Sequence, residues 1–138
     1  MNPFSLDGQT ALVTGANTGI GQAIAVALSQ AGAEVIAAGR RDCDETLALM
    51  GRGRQMRLDF SDPMAARDVF ASERIDILVN NAGFVRDRML VNTSEEEWDS
   101  VIRVHLKGHF APMRHAGAYW RAEAKEGRQR VARVINTS

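Results

Sequence analysis

The run Thr14 to Gly21 reads TGANTGIG and places Gly15, Gly19 and Gly21 between a short apolar run and an amphipathic one. Each glycine has a chemical task open to it. Gly15 can make a tight turn, Gly19 can let the backbone approach a pyrophosphate, and Gly21 can let a following helix pack closely on the preceding strand. A helix N-terminus at this point adds free N–H groups and partial positive charge, which suits phosphate. A glycine triplet alone also describes a flexible turn; the strand before and the helix after favour the ligand-binding reading.

Further along, Gly39 is followed by Arg40 and Arg41 at the end of the second apolar run. An acidic residue there would bind the ribose hydroxyls of NAD, whereas an arginine fork pairs with the extra phosphate of NADP. The reading leans to NADP. Asp42 and Asp44 stand close enough that a one-turn difference would restore an NAD-type contact, and a solvated loop charge is the plainer alternative for Arg40. His105 and His109 have metal-ligand spacing, but no HExxH pattern accompanies them and Gly108 intervenes, so no metal site is expected. Tyr119 is the only tyrosine, and Glu123 stands four residues on.

The elements that must position these residues alternate along the chain. Thr10 to Thr14 reads as a buried strand, and Ile20, Ala23, Ile24, Ala27, Leu28 and Ala31 form one helix face closed by Gly32. Strands are expected at Glu34 to Ala38, Gln55 to Phe60, Ile75 to Asn80 and Val131 to Thr137, with a helix from Asp42 to Met50. Asp62 and Pro63 suit the N-cap and first position of another helix. Thr93 with Glu96 and Ser94 with Glu97 give two overlapping capping-box options for a helix from about Glu95 to Glu126, with a bend at Gly108. Five strands with helices between them imply an α/β, doubly wound, Rossmann-type parallel sheet in one domain, 1–138.

Composition narrows the function classes. Lys plus Arg and Asp plus Glu each number 17 in 138 residues. No net field therefore favours nucleic acid or an anionic membrane. The arginines from Arg114 to Arg133 are interleaved with Glu123 and Glu126 and read as a solvated face. A single cysteine, Cys43, permits neither an internal disulfide framework nor a thiolate zinc cage. No apolar run approaches membrane-spanning length. A soluble, cytoplasmic protein acting on small molecules is the expectation.

The spacing Thr-Gly-x-x-x-Gly-x-Gly at Thr14 to Gly21, together with Asn-Asn-Ala-Gly at Asn80 to Gly83 after the fourth strand, resembles the short-chain dehydrogenase/reductase family. The resemblance covers essentially the whole chain. It implies an NAD(P)-dependent oxidoreductase that moves hydride between the nicotinamide and an alcohol or carbonyl substrate. It implies that Asn17, Thr18 and Ile20 line the pyrophosphate and ribose, that Asp59 meets the adenine, and that Asn81, Ala82 and Gly83 pass beside the adenosine ribose.

Family members also use a Ser, a Tyr and a Lys four residues after the Tyr. Tyr119 with Glu123 does not match that pair, and Ser138 falls at or next to the Ser position. The resemblance thus implies a cofactor-binding fragment, truncated after the fifth strand and inactive alone. His105 stands where many members carry an Asn of the proton relay, and a relay role and helix packing both remain open for it. The opening and first half are similar to sugar-acid dehydrogenases such as 2-deoxy-D-gluconate 3-dehydrogenase, whereas Phe84 to Leu90 (FVRDRML) is more like 3-oxoacyl and hydroxyacyl reductases. The long helix 93–126 is implied as a homo-oligomer face, leaving Phe110, Met113, Ala116 and Trp120 uncovered in this chain. The alternative is a non-catalytic dinucleotide-binding or protein-interaction module.

Overall fold

The computed structural model describes residues 2–59, 62–83 and 89–137. Five parallel strands, β1 (Thr10–Thr14), β2 (Glu34–Gly39), β3 (Arg54–Arg57), β4 (Ile77–Asn80) and β5 (Arg133–Asn136), form one sheet in the order β3-β2-β1-β4-β5. Five helices connect them: α1 (Gly19–Gln30), α2 (Asp44–Met50), α3 (Pro63–Ser72), α4 (Glu95–Ile102) and α5 (Gly108–Lys125). The fold is the doubly wound α/β arrangement expected from the alternating pattern.

Strands covered on both faces read as continuous apolar runs, because neither face meets water. That is the case at the centre of this sheet, where Leu12 lies between Ile36 on β2 and Leu78 on β4. Ala11, Val13, Val35, Ala37, Ile77 and Val79 pack on one face with Ala25 and Met50. Leu12, Ile36, Ala38 and Leu78 pack on the other with Val69, Phe70, Ala111 and Ala116. Full burial of each Leu or Ile stabilises the sheet by about 1.5–3 kcal/mol. The edge strands β3 and β5 bury much less.

The ends of elements follow local chemistry. Asp62 caps α3, its carboxylate accepting from the Met64 N–H at 2.9 Å. Of the two capping-box options, Ser94 with Glu97 is the one formed: Ser94 Oγ accepts from the Glu97 N–H and Glu97 Oε2 from the Ser94 N–H, both at 3.1 Å. The Thr93 hydroxyl instead donates to the Met89 carbonyl. Strand β3 ends at Arg57, short of the expected Phe60, which lies outside the described residues. It pairs with β2 alone, and its last ladder partner there is Gly39.

The long helix expected over 93–126 is interrupted. Arg103–Lys107 forms a π-helical turn between α4 and α5, just before the glycine at which a bend was expected. Pro112, inside α5, has no N–H to give to the preceding turn, so an unbroken ladder through this stretch is unavailable. The face α5 turns to the sheet is its small-residue face, Gly108, Ala111, Pro112 and Ala116, all buried. This corrects the expected uncovered stripe. Ala116 is buried, Met113 and Trp120 pack on the core, and the Trp120 indole N–H donates to the Ile75 carbonyl at 2.7 Å. Phe110 alone of the four is exposed.

Candidate functional site

A cavity of about 320 Å³ opens at the C-terminal end of the sheet, the end at which parallel α/β sheets bind ligands. Four loops and one helix turn supply its walls. Gly15, Asn17 and Thr18 come from the loop after β1, and Gly39, Arg40 and Arg41 from the end of β2. Leu58 and Asp59 follow β3, Ala82 and Gly83 follow β4, Val104 lies in the π-helical turn and Gly108 directly follows it.

The glycines divide their work as their types predict. Gly15 adopts φ +63°, and a Cβ there would stand 3.0 Å from the Ala82 Cα, so this position needs a glycine twice over. Gly19 has φ +60° and open space where a side chain would be. Gly21 is buried; a Cβ on it would collide with the Gly15 carbonyl oxygen and the Asn81 side-chain amide. Thr18 is the N-cap of α1 yet makes no side-chain capping bond, and the first turn of α1 has no acidic residue. The N–H groups of that turn and their partial positive charge therefore face the loop without a side-chain acceptor from the cap. Ile20, in the same turn, is exposed and Gly21 is turned inward, so neither lines the cavity wall.

Two buried threonines hold the loops in register, and sequence reasoning assigned neither a role. Thr14 Oγ1 donates to the Val79 carbonyl at 3.3 Å and accepts from the N–H groups of Asn81 and Ala82, each at 3.0 Å. One hydroxyl thus ties β1 to the NNAG turn. Thr46, fully buried on α2, donates to the Ala16 carbonyl at 2.6 Å and accepts from the Gln22 side-chain amide at 3.2 Å. Gln22 also reaches the Asn17 carbonyl. The signal for Thr14 was its place at the head of the glycine motif; Thr46 carried none, because a polar residue on a helix reads as solvated.

In the NNAG turn, the Asn81 side chain is spent inside the protein, donating to the Gly15 carbonyl at 3.3 Å and accepting from the Thr137 hydroxyl at 2.8 Å. Ala82 and Gly83, in contrast, line the cavity. Gly83 lies against the His105 ring, whose Cε1 would be 2.5 Å from a Cβ there. His109 Nε2 lies 3.3 Å from the Ala82 carbonyl oxygen. The two histidine rings are 6.5 Å apart, and among the described residues no cluster of three metal-ligating side chains exists.

At the other end of the cavity, Arg40 and Arg41 meet no acidic partner in an ion pair among the described residues. Asp44, which could have supplied an NAD-type carboxylate, is bonded by the Gln55 side-chain amide at 3.1 Å, and the Cys43 N–H donates to Gln55 Oε1 at 2.8 Å. Neither Asp42 nor Asp44 lines the cavity. The Cys43 thiol is held above its usual range, first by burial and then by the nearby Asp42 and Asp44 carboxylates, which makes it an unreactive core group. Tyr119 packs in the core near Phe70, with ring centroids 6.4 Å apart. Ser138 and Phe84 to Arg88 lie outside the described residues.

Residues 9–138 match the model of the short chain dehydrogenase family. The chain belongs to that family. It is 42% identical over 154 aligned positions to the hydroxyacyl-CoA dehydrogenase ChsB1 of Mycobacterium tuberculosis, covering 99% of this chain and 49% of the relative. It is 42% identical to a 2-dehydro-3-deoxy-D-gluconate 5-dehydrogenase of Bacillus subtilis, over 84% of this chain and 49% of that one. A solved Agrobacterium tumefaciens structure, named as a candidate 2-deoxy-D-gluconate 3-dehydrogenase and containing NADP, superposes with a TM-score of 0.88 at 46% identity, over 99% of this chain and 55% of that one. The chain therefore spans about half the length of the curated relatives it matches. No helix among the described residues is long and apolar enough to cross a membrane.

Proposed function

We propose that this chain is a single nicotinamide-dinucleotide-binding domain that takes NADP(H) in preference to NAD(H). Within its protein it would serve an oxidoreductase moving hydride between that cofactor and an alcohol or carbonyl substrate. The observation that carries the reading is the cavity itself: a glycine turn and an uncapped helix N-terminus at one end, and Arg40 and Arg41 at the other. The donor set fits the ligand. Backbone N–H groups of Thr18, Gly19 and Ile20 suit the pyrophosphate, with Gly15 and Asn17 shaping the turn and Gly21 keeping α1 close. Asp59 suits the adenine amine, Ala82 and Gly83 a ribose edge, with Asn81 holding the two loops together. Arg40 suits a ribose phosphate.

When bound, the nicotinamide would accept or supply the hydride. His105, packed on Gly83, would hold a proton or water beside the NNAG turn. Tyr119 packs against the core beside Phe70, away from the cavity lining, and would not serve as the proton donor. The relatives and the NADP-containing structure support the same reading, and both sugar-acid and acyl-CoA substrates occur among their names. A cytoplasmic location accords with the lone buried Cys43. Pairing with a second copy across the outward face of α4 and α5, where Trp98, Leu106 and Phe110 are exposed, is the proposed assembly.

Titration of the chain with NADPH and NADH, read by nicotinamide fluorescence and thermal shift, tests the reading. Saturable binding, tighter for NADPH, is expected. A folded chain that binds neither dinucleotide would overturn it and favour an interaction module.

A further inference from the structure

Strand β3 brings an arginine, Arg57, to the backbone of the loop that carries the cavity's two arginines, just outside the residues that line the cavity itself. The register places Arg57, the last residue of β3, beside Gly39, the residue that precedes Arg40. Side chains alternate along a strand, so Gln55 and Arg57 share one face while Met56 and Leu58 share the other. Met56 and Leu58 pack into the core on the α3 side. Gln55 reaches the Cys43 N–H and Asp44, which establishes that its face looks towards the loop between β2 and α2. Arg57 occupies the same face two residues nearer the cavity, and its Nη2 donates to the Arg40 carbonyl at 3.4 Å.

That bond engages one of the five N–H donors of a guanidinium. Among the described residues, no carboxylate pairs with Arg57, Arg40 or Arg41. The ends of two adjacent strands thus carry three arginines on neighbouring backbone, and cations brought together repel one another and favour an anion between them. A planar guanidinium fork matches a phosphate monoester in particular.

We propose that Arg57, reaching from the end of β3, is the third cation of a subsite shared with Arg40 and Arg41 that receives the phosphate monoester on the adenosine ribose, and so helps set the preference for NADP(H). The inference rests on the dinucleotide reading above. Arg57 acts in two ways there: it presents charge to the phosphate, and its bond to the Arg40 carbonyl holds the loop that carries the other two arginines.

The test is isothermal titration of the full chain and its Arg57→Gln variant with four probes: NADPH, NADH, 2′,5′-ADP and 5′-AMP. Loss of one charge-assisted contact at an accessible site is expected to weaken NADPH and 2′,5′-ADP by roughly three- to tenfold, leaving NADH and 5′-AMP nearly unchanged. Arg57→Lys, which keeps the charge, should retain most of the preference, and Arg67→Gln on the exposed surface of α3 controls for net charge. Equal weakening of phosphorylated and unphosphorylated probes, no weakening of either, or a matching effect from Arg67→Gln would each overturn the inference. If the unaltered chain binds neither NADH nor 5′-AMP, the dinucleotide reading itself fails.

Discussion

Replacing Gly21 by alanine separates two opposed effects at the point where α1 meets the glycine turn. Gly21 lies inside the first turn of α1, where alanine is favoured over glycine by about 1 kcal/mol through backbone entropy alone. Against this stands the space available. The added methyl would run into the Gly15 carbonyl oxygen and the Asn81 side-chain amide, and would lie 2.8 Å from the Gly15 carbonyl carbon. Two of those obstacles are backbone, held by the positive φ of Gly15 and its closeness to Ala82, so they cannot rotate aside.

Relieving such overpacking costs about 1–3 kcal/mol, and displacing Asn81 from the Gly15 carbonyl costs about 1 kcal/mol more. The last term and the helix-propensity gain offset each other, leaving a net loss of about 1–3 kcal/mol. For a domain of this size each kcal/mol corresponds to about 3–4 °C, so the melting temperature should fall by about 3–12 °C. Calorimetry on the Gly21→Ala chain measures this, and amide exchange at Asn81 and Ala82, both bonded to Thr14, should accelerate. A melting temperature that rises by about 3 °C would mean that helix propensity alone acts. The close approach of α1 to the NNAG turn would then be refuted.

Thr46→Val removes the hydroxyl on the Ala16 carbonyl and should cost about 1–3 kcal/mol, the usual penalty for orphaning a buried acceptor; chemical denaturation reads the loss, with Thr46→Ser retaining most of the stability. Thr18→Asp should cap α1 and stabilise the free chain by about 0.5–1 kcal/mol while placing a negative charge at the phosphate position, so thermal stability should rise as dinucleotide affinity collapses. Arg40→Glu should invert the cofactor preference, lowering NADPH affinity by about tenfold or more with NADH maintained or improved in parallel titrations. The Glu123 carboxyl is held below its ordinary value of 4.5, first by a hydrogen bond from Arg128 and also by one from Arg130, with burial opposing them. Its contribution to stability is therefore present above about that pH and is lost as pH falls through the depressed folded value. Glu123→Gln should lower the melting temperature at neutral pH and flatten its decline in acid.

The parts of the fold that could be read from sequence are those where one local preference acts without competition. Ala11 to Val13, the centre of β1, is apolar because both faces are covered, and the strand is legible from that run. Asp62 and Ser94 cap helices through their own side chains, within three residues of the amides they serve. Elements that depend on partners far along the chain were less legible. The C-terminal limit of β3 is set by where β2 ends, and the phase of α5 is set by the π-helical turn and by which small residues let the helix approach the sheet. The site followed the same division. Gly15 and Gly19 declare their backbone needs through residue type, whereas the tie that the Asn81 side chain makes between the Gly15 carbonyl and Thr137 depends on partners far along the chain. Thr46 and Arg57 matter only because α2 and β3 bring them to loops 30 and 17 residues away.

The caps themselves distinguish α1 from its neighbours. Helix α2 carries Asp44 and Glu45 in its first turn, α3 has the Asp62 carboxylate, and α4 has the Ser94 hydroxyl with three glutamates behind it. Each supplies negative charge or an acceptor to the unpaired N–H groups that open a helix. Only α1, among these four, has neither a capping bond nor an acidic first turn, although Thr18 at its N-cap is a residue type that commonly makes one. An uncapped helix start is a standing cost to the free chain of about 1 kcal/mol. The surrounding structure maintains that cost through Thr14, Thr46 and Gln22, which fix the turn by gripping its carbonyls and its neighbour's amides while leaving the N–H groups of α1 unclaimed. Rigidity of the loop and openness of its donors are thus supplied by different residues, which is the arrangement expected of a site whose cap is the ligand's phosphate.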